Sequence, residues 1–433
     1  MKAVEVSINE FYGDDTFSLS FPEEWRVELV KMIGHNYPAL TDSQIRDSLI
    51  HPIGTQTVAE LAKGKRKVVI TCDDLQRPTP AHRVLPFIVE ELERAGITDD
   101  QIFILGAFGT HYPMTLEAFG KKIGWNMVRR FDCVNHNPFE NCVDVGQTSR
   151  GTPLYINKEF MKADLRIIIC GIKQHDYGGA GGSGKSVLPG LSSIDTIGWN
   201  HRVVAALSKY RTWKIKGNDA RADIQEAARI VGVDFVVNCT CNNKRELIGL
   251  HAGDLDEAWF EAIRFCYRVH STTPPKEKSD VVVVNAYPQA CHGVYGWGAV
   301  DNSLKEGGTL VTLHETPLGS EILQYHEERR RVGQRLAGYP KEKAKDLCGH
   351  PEGPFTPAFE GRPWPNCVAE RIIVCDQRYS KRDVLRLSQK VEWKETWTET
   401  LASLRDSHKD DASVAIYPCA PFQFNPEKFP LIL

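Results

Sequence analysis

The chain has 433 residues, 42% hydrophobic and 25% charged, an ordinary balance for a globular protein of two or three domains. A formal net charge of −3 gives no general attraction to nucleic acid or to an anionic membrane surface. No run approaches the roughly 18 apolar residues of a membrane-spanning helix, and the opening MKAVEVSINEFYG lacks a signal-like apolar core. A cytoplasmic enzyme is the expectation.

In chain order, short β-branched runs alternate with helical patterns. KVVITC (67–72) predicts a buried strand and is followed by the amphipathic HRVLPFIVEELERAG. IFILGA (102–107) and LRIIIC (165–170) predict further strands, then RADIQEAARIVG a helix, DFVVNC (234–239) a strand and DEAWFEAIRFCYRVH a helix. The polar, proline-bearing HSTTPPKEKSD (270–280) marks a boundary. Beyond it DVVVVN (280–285), GTLVTL (308–313), RIIVCD (371–376) and SVAIYP (413–418) predict more strands. Continuous apolar strands alternating with helices predict an α/β fold of two domains with mainly parallel sheets. The expected bounds are 1–270 and 281–411, joined by a linker over 271–280. Twelve dispersed cysteines include no CxxC pair. Cys239 and Cys241 share one strand face and could bind a soft metal, but reduced, partly buried thiols are the favoured reading.

Polar clusters follow the predicted strands: CDDLQRPTP after Thr71, GTHYP after Ala107 and GIKQHDYGG after Cys170. Loops at strand carboxyl ends form the ligand crevice of a doubly wound sheet, so Asp74, Arg77, His111 and His175 are expected to converge. Within HDYGGAGGSGKSVLPG (175–190), Gly179–Ser186 matches GxxxxGK[ST], and Gly179–Gly184 matches GxGxxG. Neither match has its required context. About eight residues separate the strand from the glycines, and Pro189 and Gly190 would break the helix that a phosphate loop needs. Asp195 is too near, and in no second strand, to serve as the ribose acid of a dinucleotide site. Asp376, a candidate second-metal aspartate, lies beyond the linker. An ATP-binding enzyme using Lys185 and Ser186 is the alternative, and a non-catalytic small-molecule binding protein is another.

Four stretches together resemble the lactate racemase family, the nickel-dependent 2-hydroxyacid racemases and epimerases. They are CDDLQRPTP, GTH at 109–111, HDYGGAGGSGKSVLPG, and TIGWNH at 196–201. The resemblance implies a pyridinium mononucleotide covalently held at Lys185, a nickel pincer nucleotide lined by Gly181, Gly182 and Ser183. His201 would ligate the nickel, and His111 and His175 would be the acid and base. Arg77 would bind substrate, with Asp74 beside it. It also implies cofactor-synthesis enzymes as maturation partners, a returning segment at about 412–433, and an interdomain active-site cleft. Removing the C2 hydrogen as hydride avoids a carbanion beside a carboxylate, while a histidine near neutral pKa takes the hydroxyl proton. Lactate-type members carry Tyr-Gln-x-x-Lys-Gly early in the second domain. NAYPQACHGVYGWGAVDNSLKEGG departs from it, with His292, Tyr295 and Trp297 in its place. These residues, with Trp364 as a further candidate, suggest a longer or polyhydroxy acid rather than lactate.

Overall fold

The computed structural model describes residues 1–8, 15–205, 212–289, 303–314, 369–376, 391–408 and 410–433, leaving aside the side chain of Arg202. His292, Tyr295, Trp297 and Trp364 lie outside the described residues. The chain begins with β1 (Lys2–Ser7), β2 (Thr16–Phe21), β3 (Arg26–Leu29), α1 (Asp42–Ile50), α2 (Val58–Leu61), β4 (Val68–Cys72) and α3 (Ala81–Arg94). Next come β5 (Ile102–Gly106), α4 (Leu116–Ile123), α5 (Trp125–Val128), β6 (Asp132–Asn135), β7 (Cys142–Gln147), β8 (Pro153–Asn157) and α6 (Lys158–Met161). These are followed by β9 (Leu165–Gly171), β10 (Gln174–His175), β11 (Gly179–Ala180), α7 (Ile194–Trp199), α8 (Asp219–Val231), β12 (Phe235–Cys241), β13 (Leu247–Gly253) and α9 (Glu257–His270). The remainder holds β14 (Ser279–Asn285), β15 (Leu304–Leu313), β16 (Arg371–Cys375), β17 (Val391–Lys394), α10 (Trp397–Ser407) and β18 (Ser413–Tyr417). Each strand and helix predicted from the sequence is present.

The chain divides into two compact units. One holds Asn36–Arg268 and Pro430–Leu433; the other holds Met1–His35 and the described residues from Val269 to Phe429. In the first, six strands are ordered β13-β12-β9-β4-β5-β6, parallel apart from β13 at the edge. All five residues of β4 are buried, as expected for a strand covered on both faces. Val69, Ile168 and Val236 of the sheet share a core with Ile224, Ala227, Ala228 and Val231 of α8. That helix starts at Asn218, whose side chain accepts from the Arg221 amide, and stops at Gly232, whose φ of 73° is the left-handed cap.

The second unit has an all-parallel sheet ordered β17-β16-β15-β14-β18-β3. Its composition corrects the expected domain bounds. Residues 1–35 join this unit, because β3 pairs with β18 and the two complete one edge. Residues 412–429 also stay here, since β18 pairs with β14. Only Pro430–Leu433 belongs with the first unit, where the Ile215 amide donates to the Ile432 carbonyl at 2.7 Å. The boundary falls at Arg268/Val269 rather than over 271–280, because Ser271 and Thr272 bridge to Phe424 and Met32. These partners are distant in sequence, so local composition does not reveal them. Among the described residues, no helix is long and apolar enough to cross a membrane.

Candidate active site

The central neighbours β9, β4 and β5 run parallel, with Thr71 opposite Ile168 and Cys72 opposite Gly106. Their carboxyl ends therefore lie side by side, and the loops carrying the predicted polar residues leave from there. The loop after β4 is organised from beneath by Lys122 of α4, which is fully buried. Its ammonium donates to Asp73 Oδ1 at 2.7 Å and to the carbonyls of Arg77 and Thr79 at 2.8 and 3.2 Å. The other Asp73 oxygen accepts from Thr79 Oγ1 at 2.5 Å and the Gly171 amide at 3.2 Å, tying this loop to the end of β9. Removing one partner of a buried ion pair leaves the other charge uncompensated. Lys122→Ala is therefore expected to cost about 3–5 kcal/mol in a denaturant-unfolding titration.

Asp73 is thus structural, whereas its neighbour Asp74 faces a second loop. Asp74 is buried, and its Oδ2 lies 2.6 Å from Nδ1 of His111, in the loop after β5. Its Oδ1 accepts from the Gln76 amide at 2.8 Å. Burial alone would raise this carboxyl, but the His111 ring and then the Arg77 guanidinium outweigh it and hold it down at about 2. An ionised carboxylate can only accept, so Nδ1 of His111 carries the proton and Nε2 is the basic ring atom. Arg77 follows in the same loop, its amide donating to the Asp74 carbonyl at 3.1 Å. Across from it, between β9 and β10, lies the buried Lys173. Burial, followed by the charge of Arg77, lowers the Lys173 amine to about 7.

The third loop brings His175, Tyr177 and Lys185 together with His201. Lys185 Nζ donates to Tyr177 Oη at 3.0 Å and sits 4.6 Å from the ring centroid. The same Oη lies 2.5 Å from His201 Nε2. His175 stands edge-on to Tyr177, with centroids 4.6 Å apart. Burial, then the charge of Lys185, drives the His175 ring down to about 3, so it is neutral at physiological pH. Its Nδ1 accepts from the Gly178 amide at 3.2 Å and lies 3.0 Å from Asp176 Oδ1. These contacts ask for opposite tautomers. The amide can only donate, whereas the Asp176 side chain is 84% exposed and has water as an alternative partner. The His175 proton is accordingly placed on Nε2.

The glycines support the site by close packing rather than as a polar cradle. Gly109, with φ of 59°, donates to the Gly190 carbonyl at 2.9 Å and links the His111 loop to the lysine loop. Gly182 has φ of 81°, and a Cβ there would collide with Ile172. The amides that a phosphate loop would turn toward phosphate are engaged inside the protein. Gly181 donates to the Lys173 carbonyl at 2.8 Å, Gly184 to Gln225 Oε1 at 3.2 Å and Lys185 to the Gly182 carbonyl at 3.2 Å. Ser183, expected to line a cofactor, is turned inward instead. Its amide points at Cys170 Sγ, and its hydroxyl donates to the Leu255 carbonyl at 2.6 Å. Lys185 itself lies within a short 3-10 turn, Ser183–Ser186, where a phosphate loop would open a helix.

The remaining sequence candidates lie elsewhere. Asp376 belongs to the other compact unit. Cys239 and Cys241 are buried thiols that burial pushes upward, Cys241 to about 12. Among the described residues, no three or more His, Cys, Asp or Glu side chains form a metal-holding group. Tyr177, Lys122 and Lys173 also belong to the site, and no motif in the sequence marks them. Tyr177 sits inside HDYGG, yet nothing in its spacing shows that it joins a lysine to a histidine. Lys122 did leave a signal, being a charge beside Ile123 in an otherwise apolar face of α4.

Residues 12–212 match the family model described as the lactate racemase N-terminal domain. Over 318 residues the chain is 32% identical to lactate racemase of Lactiplantibacillus plantarum, covering 71% of this chain and 74% of that protein. Over 314 residues it is 27% identical to lactate racemase of Thermoanaerobacterium thermosaccharolyticum, covering 70% and 73% respectively. Its fold is similar to that of the lactate racemase apoprotein from the latter organism, with a TM-score of 0.71 at 21% identity over 98% of this chain and 99% of the other. A protein from Thermotoga maritima has a TM-score of 0.59 at 17% identity, covering 90% and 100% of the two chains. Sequence likeness at this level, across most of both chains, makes the protein an isomerase that belongs to the lactate racemase family.

Proposed function

We propose that the enzyme inverts C2 of a 2-hydroxy acid, as a racemase or epimerase, with a nickel pincer nucleotide attached at Lys185 and ligated by His201. The observation that carries this reading is the single oxygen, Tyr177 Oη, lying 3.0 Å from the Lys185 amine and 2.5 Å from the His201 imidazole. A group attached to that amine is within reach of that imidazole. The donor set fits as well, because a metal beside His201 would take its other donors from the attached group. When bound, that group would supply a hydride acceptor for C2.

The chain's own residues divide the remaining work. Arg77 presents a planar fork of donors to the substrate carboxylate, and Lys173, its amine held down at about 7, stands nearby as a second donor that a bound carboxylate would keep protonated. His111, oriented by Asp74, takes the hydroxyl proton at Nε2. His175, neutral and protonated at Nε2, stands as the complementary donor. Burial of Asp74 and Lys173 keeps water from competing for the groups these two side chains hold. His292, Tyr295 and Trp297 replace the lactate-type Gln and Lys in the sequence, so the proposed substrate is a longer or polyhydroxy acid. Maturation would need cofactor-synthesis enzymes, and a cytoplasmic location accords with that.

The test is inversion of C2-deuterated 2-hydroxy acids in ordinary water, using protein made in cells that synthesise the cofactor. The panel should include lactate and aldonic acids. Inverted product that keeps its deuterium is expected, since hydride leaves and returns without exchange. Washout of the label would overturn the hydride route, and turnover of lactate alone would overturn the substrate assignment.

A further inference from the structure

We propose that helix α8 aligns the cofactor-bearing lysine with the nickel-ligating histidine, with Arg221 and Asp223 as positioning residues. The inference rests on the roles of Lys185 and His201 given above. Arg221 and Asp223 are separated by two positions, about 200° around a helix, so they point to nearly opposite sides of α8. Arg221 reaches the glycine loop, and Asp223 reaches the segment that carries His201.

On the first side, three successive carbonyls of the glycine loop are held by one stacked pair. Arg221 donates to the Ala180 and Gly182 carbonyls, both at 3.3 Å, and Trp259 Nε1 donates to the Gly181 carbonyl at 2.8 Å. The guanidinium carbon lies 3.5 Å from the Trp259 ring centroid, so the two side chains act as one plate. Gln225, one turn along the helix, accepts from Arg221 Nη2 at 2.9 Å and from the Gly184 amide at 3.2 Å. The loop is thereby fixed from Ala180 to Gly184, directly before Lys185.

On the second side, Asp223 is fully buried and accepts three hydrogen bonds from neutral donors. They come from Thr148 Oγ1 at 2.5 Å, Thr152 Oγ1 at 2.7 Å and Asn200 Nδ2 at 2.7 Å. Asn200 is also fully buried. It directly precedes His201 and opens a π-helical turn, Asn200–Val204. Such turns are rare, and a side-chain anchor at the first residue sets where the next one points.

Neither charge has an opposite charge among these hydrogen-bond partners. Burial lowers Arg221 to about 9 and raises the Asp223 carboxyl. Holding two ions this way is costly for the fold, and apolar residues would serve packing better. What the ions add is directional: Arg221 spans two carbonyls, and Asp223 collects three donors at fixed angles.

The test compares wild type with Arg221→Lys, Asp223→Ala and Asp223→Asn, each made with the cofactor-synthesis enzymes. Two quantities are read: adduct occupancy at Lys185 by peptide mass, and the rate of nickel loss to a chelator. Lysine cannot span both carbonyls or stack as a plate, so R221K is expected to lower adduct occupancy about tenfold. D223A is expected to keep the adduct but release nickel about tenfold faster. D223N can still accept from Asn200 and Thr152 through its carbonyl and donate to Thr148, so it is expected to hold nickel like wild type. R221K and D223A behaving as wild type, or D223N losing nickel as fast as D223A, would overturn the inference. If D223A does not fold, Asn200→Ala removes the one relevant donor and takes its place. A wild type that carries neither adduct nor nickel would instead sink the assignment of Lys185 and His201, and the inference with it.

Discussion

Lys185→Ala protein, made in cells that supply the cofactor, is expected to lack both the adduct mass and the nickel, and to invert substrate roughly 10³-fold more slowly or worse. A tether turns capture of the cofactor into a permanent arrangement, and well-oriented attachment is worth effective molarities of about 10⁵–10⁸ M. The Lys185 amine sits on the Tyr177 hydroxyl and over its ring at the end of a buried loop, and the side chain itself is only partly buried. The fold should therefore survive its removal, which a circular dichroism spectrum would verify. Lys185→Arg separates attachment from charge. It keeps a cation over Tyr177 but has no primary amine, and it is expected to be as inactive as the alanine variant. Intact mass and an inversion assay on the three proteins decide the matter, and substantial activity in Lys185→Ala would contradict the tether.

Asp74→Asn is expected to lower kcat by about 10²–10⁴-fold with the backbone unchanged. In the native protein the ionised carboxylate accepts from His111 Nδ1 at 2.6 Å and leaves Nε2 basic. An asparagine amide can donate to Nδ1 instead, which moves the ring proton to Nε2 and removes the base. The acid side of the stability profile supplies a second readout. Because the folded carboxyl is held down at about 2, its contribution is fully present above the unfolded value near 4. It is lost as pH falls through 2. Wild type should therefore lose thermal stability between about pH 4 and pH 2 more steeply than Asp74→Asn. Steady-state rates within tenfold of wild type, or parallel acid profiles, would remove Asp74 as the orienting group.

Local chemistry made much of the fold legible. Runs such as KVVITC and DVVVVN read as strands because a sheet covered on both faces leaves no polar position to interrupt them, and β4 and β14 are the result. The clusters CDDLQRPTP, GTHYP and GIKQHDYGG could be placed together because parallel strands deliver successive loops to the same end of a sheet. The domain bounds were not legible. Whether SVAIYP lies beside Arg26–Leu29 or in the other sheet depends on pairing across nearly the whole chain, and no local pattern encodes it.

The candidate site divides in the same way. Which side chains can do acid–base, tethering and anion-binding chemistry is readable from residue type alone, because histidine, lysine and arginine bring that chemistry wherever they stand. The sequence also shows that GAGGSGKS lacks the strand and helix of a phosphate loop, since proline and glycine restrict the backbone locally. Only the tertiary structure separated Asp73, committed to buried Lys122, from Asp74, committed to His111. Only there does Tyr177 join Lys185 to His201, and only there does α8 reach both through Arg221 and Asp223. Hydrogen bonds act over about 3 Å and have direction, so their partners are chosen by folded geometry rather than by order along the chain.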